Sequence, residues 1–374
     1  MTTPRTTADI DVSVLVNTFR KPRHLALVLE SIALQQPAGQ AIEIVVTDDG
    51  SDDGTAELVA RLAATLSVPV RFTSQPHAGF RLARIRNNAA RLARGRYLLF
   101  IDGDCMLPPG HVAAHVARRR VGTALIGFCA RLSRQVSELL VPENLALADL
   151  GAIVPEAERR ALARRHRKAW WHGALRHPSK PRLAGGDFGA WAADFARVNG
   201  FDERFVGWGQ EDDDLGLRLR AAGVRLESIL DRTWSLHVWH PVDTSATPRW
   251  KDGVNVPYFL RRGRLNRCRH GLRERSTHDL TWGLPADAAE TPLGRDVLAL
   301  LADAPQAEAS EPCEVEVVLR PGRGRFERKA ECRLLLIEGD IEASLRRRAD
   351  QIHELEAAPA DRSAQLARIL ASCG

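Results

Sequence analysis

Long apolar runs are what this 374-residue chain most clearly lacks. No stretch could cross a bilayer as a helix, and the N-terminal MTTPRTTADID holds no apolar signal core. The expectation is a protein that stays in the cytosol. Paired cysteines are missing too. Cys105, Cys129, Cys268, Cys313, Cys332 and Cys373 are scattered without a C-x-x-C pair. Free thiols in a reducing compartment are therefore expected, and a zinc site is not. There is no internal repeat and no base-reading motif, which leaves nucleic-acid binding supported by net charge alone.

What remains is ordinary globular material, 44% apolar and 27% charged. The length suggests two domains, or one large domain with an appendage. Net charge is +6, from 53 Lys plus Arg against 47 acids, with arginine dominant. The basic residues cluster at 118–120, 159–168 and 261–275. Such clusters meet anionic lipid or phosphorylated substrates, or they solvate helix faces.

The first hundred residues alternate apolar runs with helical stretches. Residues 12–16 (VSVLV), 42–46 (IEIVV), 68–72 and 97–101 (YLLFI) read as strands, and 24–34, 56–66 and 82–94 as helices. That alternation predicts a mostly parallel sheet covered on both faces. Ligands of such sheets bind at the carboxyl ends of the strands. Asn17-Thr18-Phe19, Asp48-Asp49-Gly50-Ser51 and Asp102-Gly103-Asp104 all fall at those ends, so one cleft should collect them. Asp102 and Asp104, one residue apart, can present oxygens to a hard divalent ion. Arg84 and Arg86 on the preceding helix could neutralise a diphosphate.

Residues 206–219 (VGWGQEDDDLGLRL) carry the densest chemistry. A helix is expected to begin within Glu211, Asp212, Asp213 and Asp214, because acids suit a helix's first turn. One or two acids would serve that purpose. Four acids behind a Gly-Trp208-Gly turn suggest more, since adjacent carboxylates raise one another's pKa, as a general base needs. Residues 142–169 look helical and basic, and Trp170-Trp171-His172 precede a proline-rich loop. Gly185-Gly186 permits close backbone approach. His237 and His240 are further candidate metal ligands, against the plainer reading of structural histidines.

Residues 284–312 turn to Ala, Pro, Asp and Glu and read as a linker. Beyond it, 313–320 and 333–337 read as strands, and 341–355 and 364–370 as helices. The division expected is a main domain over 1–283, with a nucleotide-sugar half at about 10–106 and an acceptor half at about 107–275. A small α+β appendage of unknown role follows at 313–374.

VSVLVNTF, VVTDDGSDDGT, Arg86-Asn87 and LLFIDGD, followed by GGDFGAWAADFARVNGFDERFVGWGQEDDDL at 185–215, resemble a family 2 nucleotide-sugar glycosyltransferase of GT-A fold. The second segment is similar to the C-terminal motif of β-1,4-galactosyltransferases. The resemblance covers roughly 10–275. It implies that Asn17, Thr18 and Phe19 flank the nucleobase and that Asp49 accepts from the uracil N3–H. Arg86, with Arg84, would touch base or diphosphate. Asp102 and Gly103 would lie near ribose and metal, and Asp104 and His237 would bind Mn²⁺ or Mg²⁺, with His240 the alternate ligand. Trp208, Gly186 and Asp213 would border the acceptor, Glu211 the sugars, and Asp212 would be the base. Two departures stand out: Phe19 where Tyr is common, and Gln210 where Gly is common.

The activity implied is inverting, metal-dependent transfer from a UDP-sugar to a hydroxyl of a glycan or glycolipid. The setting would be bacterial surface polysaccharide or lipopolysaccharide synthesis. Peripheral contact with the cytoplasmic face of the inner membrane fits the basic clusters, and nucleic acid is not an expected partner. The rival readings are a retaining transferase and a sugar-nucleotide-binding module without turnover.

Overall fold

The computed structural model describes residues 10–35, 41–241, 250–308, 311–320, 322, 324–338, 343–355 and 359–373. It divides into two compact units, Met1–Phe259 and Leu260–Gly374. The boundary expected near 283 therefore lies further upstream. The reason is packing: Leu265, Leu280, Trp282 and Leu284 are buried in the core of the second unit.

The first unit opens with β1 (Val12–Thr18), α1 (Pro22–Ala33), β2 (Ile42–Asp48), α2 (Thr55–Thr65), β3 (Val70–Ser74), α3 (Leu82–Leu92) and β4 (Tyr97–Asp102). It continues through β5 (Cys105–Met106), α4 (His111–Arg118), β6 (Thr123–Ile126), β7 (Cys129–Arg131), α5 (Arg134–Leu139) and α6 (Glu156–Ala174). It ends with β8 (Asp187–Trp191), α7 (Ala192–Arg197), α8 (Glu211–Ala221), β9 (Arg225–Ser228), β10 (Ser235–His237) and α9 (Val256–Phe259).

Seven strands form the main sheet in the order β3-β2-β1-β4-β8-β6-β9. Only β8 runs against its neighbours. The mixed, mostly parallel sheet with flanking helices is the architecture expected. Strand β2 is buried along its whole length, which is why it reads as a continuous apolar run. Register matters more than order for the site. Asn17 pairs with Thr47 and with Asp102, and Thr18 pairs with Asp48, so three strand ends finish at one level. A second sheet, β5-β10-β7, sets β10 directly beside the segment after β4, with His237 opposite Cys105. Under the middle of the main sheet, Phe100 and Phe188 stack at 4.4 Å, and Phe195 and Phe201 pack around them.

The second unit holds β11 (Trp282–Gly283), α10 (Pro292–Leu300), β12 (Cys313–Arg320), β13 (Ala330–Ile337), α11 (Ala343–Arg348), β14 (Gln351–Glu354) and α12 (Pro359–Ser372). Its four strands are parallel and lie in chain order. Two expectations are corrected here. The stretch 284–312 is not simply a linker, because α10 buries Leu293 and Val297 in this unit's core. The stretch 341–355 is not one helix: α11 is short, and residues 351–354 add a strand to β13. Much of the basic stretch 261–275 is also structural. Arg269 is buried and donates to the carbonyls of Leu370, Ala371 and Cys373, and Arg275 pairs with Glu314 at 2.8 Å.

Candidate active site

The four acids at the start of α8 have four different environments. The helix begins at Glu211, as its composition leads one to expect. Asp214 forms a 2.7 Å ion pair with Arg218, and both side chains are fully buried. Asp213 lies 3.2 Å from Arg182, which is half exposed. Asp214 is thus part of the core and Asp213 part of the rim.

Asp212 faces inward. It accepts from Arg86 Nη1 at 2.7 Å and from the Gly185 backbone N–H at 3.0 Å. A Cβ on Gly185 would sit 2.1 Å from the Asp212 carboxylate, so only glycine permits this approach. Burial pushes the Asp212 carboxyl up, while the Arg86 charge opposes the shift. Glu211 is more deeply enclosed. Desolvation, then the charge of Asp212, push its carboxyl up to about 8, and its Oε2 has no hydrogen-bond partner. The two acids therefore differ in their surroundings: burial and the Asp212 charge favour the neutral form of Glu211, while Asp212 is held beside a cation.

Arg86 joins this run to the strand ends. Its guanidinium is 2% exposed, lies over Phe201, and donates to Asp102 Oδ1 at 3.0 Å. Its two terminal nitrogens donate to carboxylates, and its Nε is buried without a hydrogen-bond partner. Arg84 is half exposed, 3.9 Å from Glu203. Gly186 faces Asp102 so closely that a Cβ would lie 2.5 Å from its carboxylate. Gly103 likewise leaves no room for a Cβ above the Asn17 carbonyl.

Asp104, His237 and His240 converge: one ligand atom from each lies within 4.8 Å of the others. His240 Nε2 is 3.1 Å and His237 Nε2 3.8 Å from the Asp104 carboxylate. Both histidines thus belong to the cluster, which the spacing left open. Lys21 is the residue that sequence reasoning missed. Its Nζ sits 3.0 Å from Asp104 Oδ2 and 2.9 Å from His240 Nε2. Burial works against the Asp104 charge, but the His240 hydrogen bond and the Lys21 ammonium hold its carboxyl well below the usual range. Burial lowers His237, and the hydrogen bond to Asp104 raises His240. One carboxylate and two imidazoles suit a divalent ion of the manganese type, and a cation already occupies part of that space.

At the far side of the cleft, Asp48 accepts from the backbone of Gly50 and Ser51 and from the Ser51 and Ser74 hydroxyls. It builds the turn. Asp49 accepts from Gln75 Nε2 at 2.6 Å, with His77 3.5 Å away. His77 stacks on Phe19 at 4.3 Å. Neither Gln75 nor His77 was legible as a site residue, since both follow a strand without an acidic or glycine-rich signal. Asn17 Oδ1 and Thr18 Oγ1 are buried with no hydrogen-bond partner at the strand ends, which is where a ligand would supply one. Trp208 is 41% exposed on a turn whose glycines both have positive φ. Gln210 shares that left-handed geometry at φ 71°, which explains why glycine suits the position.

Residues 13–160 match the glycosyl transferase family 2 profile, and 175–239 match the profile described as the N-terminal domain of galactosyltransferase. Over residues 13–160 the chain is similar to glycosyl transferase family 2. Validoxylamine A glucosyltransferase of Streptomyces hygroscopicus subsp. limoneus is 31% identical over 250 residues, 61% of this chain and 52% of that protein. Chondroitin synthase of Escherichia coli is 25% identical over 283 residues, 69% of this chain and 40% of that protein. The chain spans about half the length of the first of these relatives. Among solved structures, S. aureus TarS 1–349 in complex with UDP-GlcNAc matches at TM-score 0.43 and 16% identity, over 64% of this chain and 62% of that one. Among the described residues, no helix is long and apolar enough to cross a membrane.

Proposed function

We propose that this family 2 glycosyltransferase carries out inverting transfer from a UDP-sugar to an acceptor hydroxyl, with Asp212 as general base. The observation that carries the reading is the Asp102–Arg86–Asp212 bridge. It places the carboxylate of the acid run directly across from the strand end where a donor would lie. Asp212 takes the acceptor proton as that oxygen attacks the anomeric carbon, a contribution typically worth ~10²–10⁴-fold in rate. Glu211, protonated, donates a hydrogen bond at the same place. Asn17 and Thr18 meet the nucleotide with their unpaired oxygens, and Asp49, steadied by Gln75, accepts from the base.

Asp104, His237 and His240 would hold a divalent ion, Mn²⁺ before Mg²⁺ because imidazole is the softer donor. When bound, such an ion supplies Lewis-acid neutralisation of the departing diphosphate. The acceptor side is basic: a cavity of about 310 Å³ beside Ala184 is lined by Arg165, Lys168, His172, Lys180 and Arg182. That lining favours an acceptor carrying phosphate or carboxylate, as in bacterial surface glycans and lipopolysaccharide. Trp170 and Trp171, both more than half exposed on α6 beside these basic residues, suit contact with an anionic membrane surface. Flotation with anionic liposomes and not with neutral ones is expected; equal failure with both removes the membrane contact.

A nucleotide-sugar screen with Mn²⁺, followed by NMR of the product's anomeric configuration, tests the whole reading. Turnover of a UDP-sugar with inversion is expected. Retention of configuration would instead support the rival mechanism, and binding without turnover the non-catalytic one.

A further inference from the structure

On α4, His111 and His115 stand one turn apart, so both rings leave the same face. They point at Asp187, the first residue of β8. All three side chains are fully buried. His111 Nε2 lies 3.4 Å and His115 Nε2 3.8 Å from Asp187 Oδ1. Neither contact is a hydrogen bond, and all three atoms are without a hydrogen-bond partner. One ligand atom from each residue lies within 4.8 Å of the others.

Unpaired polar atoms in a dry interior cost about 1–3 kcal/mol each, so three converging on one point call for an occupant. The other ring nitrogens show which kind. His111 Nδ1 is 2.8 Å from Thr233 Oγ1, and His115 Nδ1 is 3.1 Å from the Tyr97 hydroxyl. Each ring is fixed at Nδ1 by a hydroxyl and left open at Nε2, the arrangement by which metal-bound histidines are oriented. The second oxygen of Asp187 is tied to the Ser235 backbone N–H at 3.1 Å. Ligands about 2.0–2.1 Å from a tetrahedral zinc ion stand roughly 3.3–3.5 Å apart. The 3.4 Å separation at His111 falls at that spacing and also within reach of an ion pair with Asp187, and the 3.8 Å separation at His115 is somewhat longer.

We propose that His111, His115 and Asp187 form a structural zinc site, separate from the Asp104 cluster. It pins α4 to β8, the antiparallel strand in the middle of the sheet. The scarcity of paired cysteines does not bear on it, because no cysteine takes part. It lies in the interior, so its role is to hold the fold and not to meet substrate.

The test uses the full chain without a histidine tag, in two backgrounds: wild type and Asp104→Ala with His237→Ala. Zinc is measured by mass spectrometry after dialysis, melting is followed with and without a strong chelator, and Co²⁺ is added to chelated protein. The expected result is about one equivalent of zinc retained in both backgrounds and lost in His115→Gln. Chelation should lower the melting temperature by several degrees, and Co²⁺ should give the intense visible bands of tetrahedral coordination. Should His115→Gln fail to fold, the Co²⁺ spectrum of the Asp104→Ala, His237→Ala protein decides. Metal-free protein whose melting ignores both chelator and added zinc would overturn the proposal. So would zinc that disappears when Asp104 and His237 are removed.

Discussion

Arg86 Nη1 lies 2.7 Å from Asp212 Oδ1, although the two residues stand 126 positions apart. The other terminal nitrogen of the same guanidinium reaches Asp102 at 3.0 Å. One buried cation thus joins the donor-side strand end to the acid run. Its charge also opposes the rise that burial gives the Asp212 carboxyl.

The Asp104 cluster should bind its ion in competition with Lys21. Asp104→Ala should remove the Mn²⁺-dependent part of UDP binding, measured by calorimetry with and without the ion. Lys21→Met should tighten Mn²⁺ binding by about tenfold, since it removes an ammonium from the ligands. Equal Mn²⁺ affinity in Lys21→Met and wild type would show that the ammonium does not compete.

Glu211 should make the protein lose stability as pH rises from about 4.5 to about 8. Its carboxyl titrates near 4.5 when exposed and near 8 in the fold. Between those values the folded state holds a proton that the unfolded state has released. The slope of stability with pH is therefore negative, and the contribution is lost as pH rises through about 8. Glu211→Gln, neutral at all pH, should flatten that part of the melting-temperature profile. An unchanged profile would mean that Glu211 is ionised in the native protein.

Within the same acid run, Asp214 and Asp213 should differ sharply in their importance to folding. Asp214→Asn leaves Arg218 charged in the core and should cost about 3–5 kcal/mol in urea denaturation. Asp213→Asn weakens the pair with half-exposed Arg182 and should cost less, on the order of 1 kcal/mol. Similar losses at both positions would contradict the assignment of Asp214 to the core.

The strand ends were readable because buried parallel strands leave continuous apolar runs, as in β2, and the residues after them stand out as polar. The polar residues that follow, Asn17, Asp49, Asp102 and Asp104, lie at strand ends that finish at one level. The start of α8 was readable from its acids. Contacts across the fold were not. Nothing near Lys21 signals Asp104, 83 residues away, and nothing near Arg86 signals that two carboxylates enclose it. The stretch 341–355 looked like one helix, yet Leu355 N–H bonds to the Ile337 carbonyl and the chain before it joins the sheet. The basic stretch 261–275 looked like a surface for anions, but Arg269 is spent on the carbonyls that end α12.

Asp212→Asn is the most direct measurement of the central claim. The substitution keeps shape and leaves one acceptor oxygen, enough for Arg86 or the Gly185 N–H but not for both, and Asp102 continues to neutralise the buried guanidinium. Folding and UDP binding should therefore survive, checked by melting and calorimetry on the same preparation. Transfer, measured with the donor that the screen identifies, should fall by ~10²–10⁴-fold. A folded, UDP-binding Asp212→Asn protein that transfers sugar at close to the wild-type rate would contradict the assignment of Asp212 as the base.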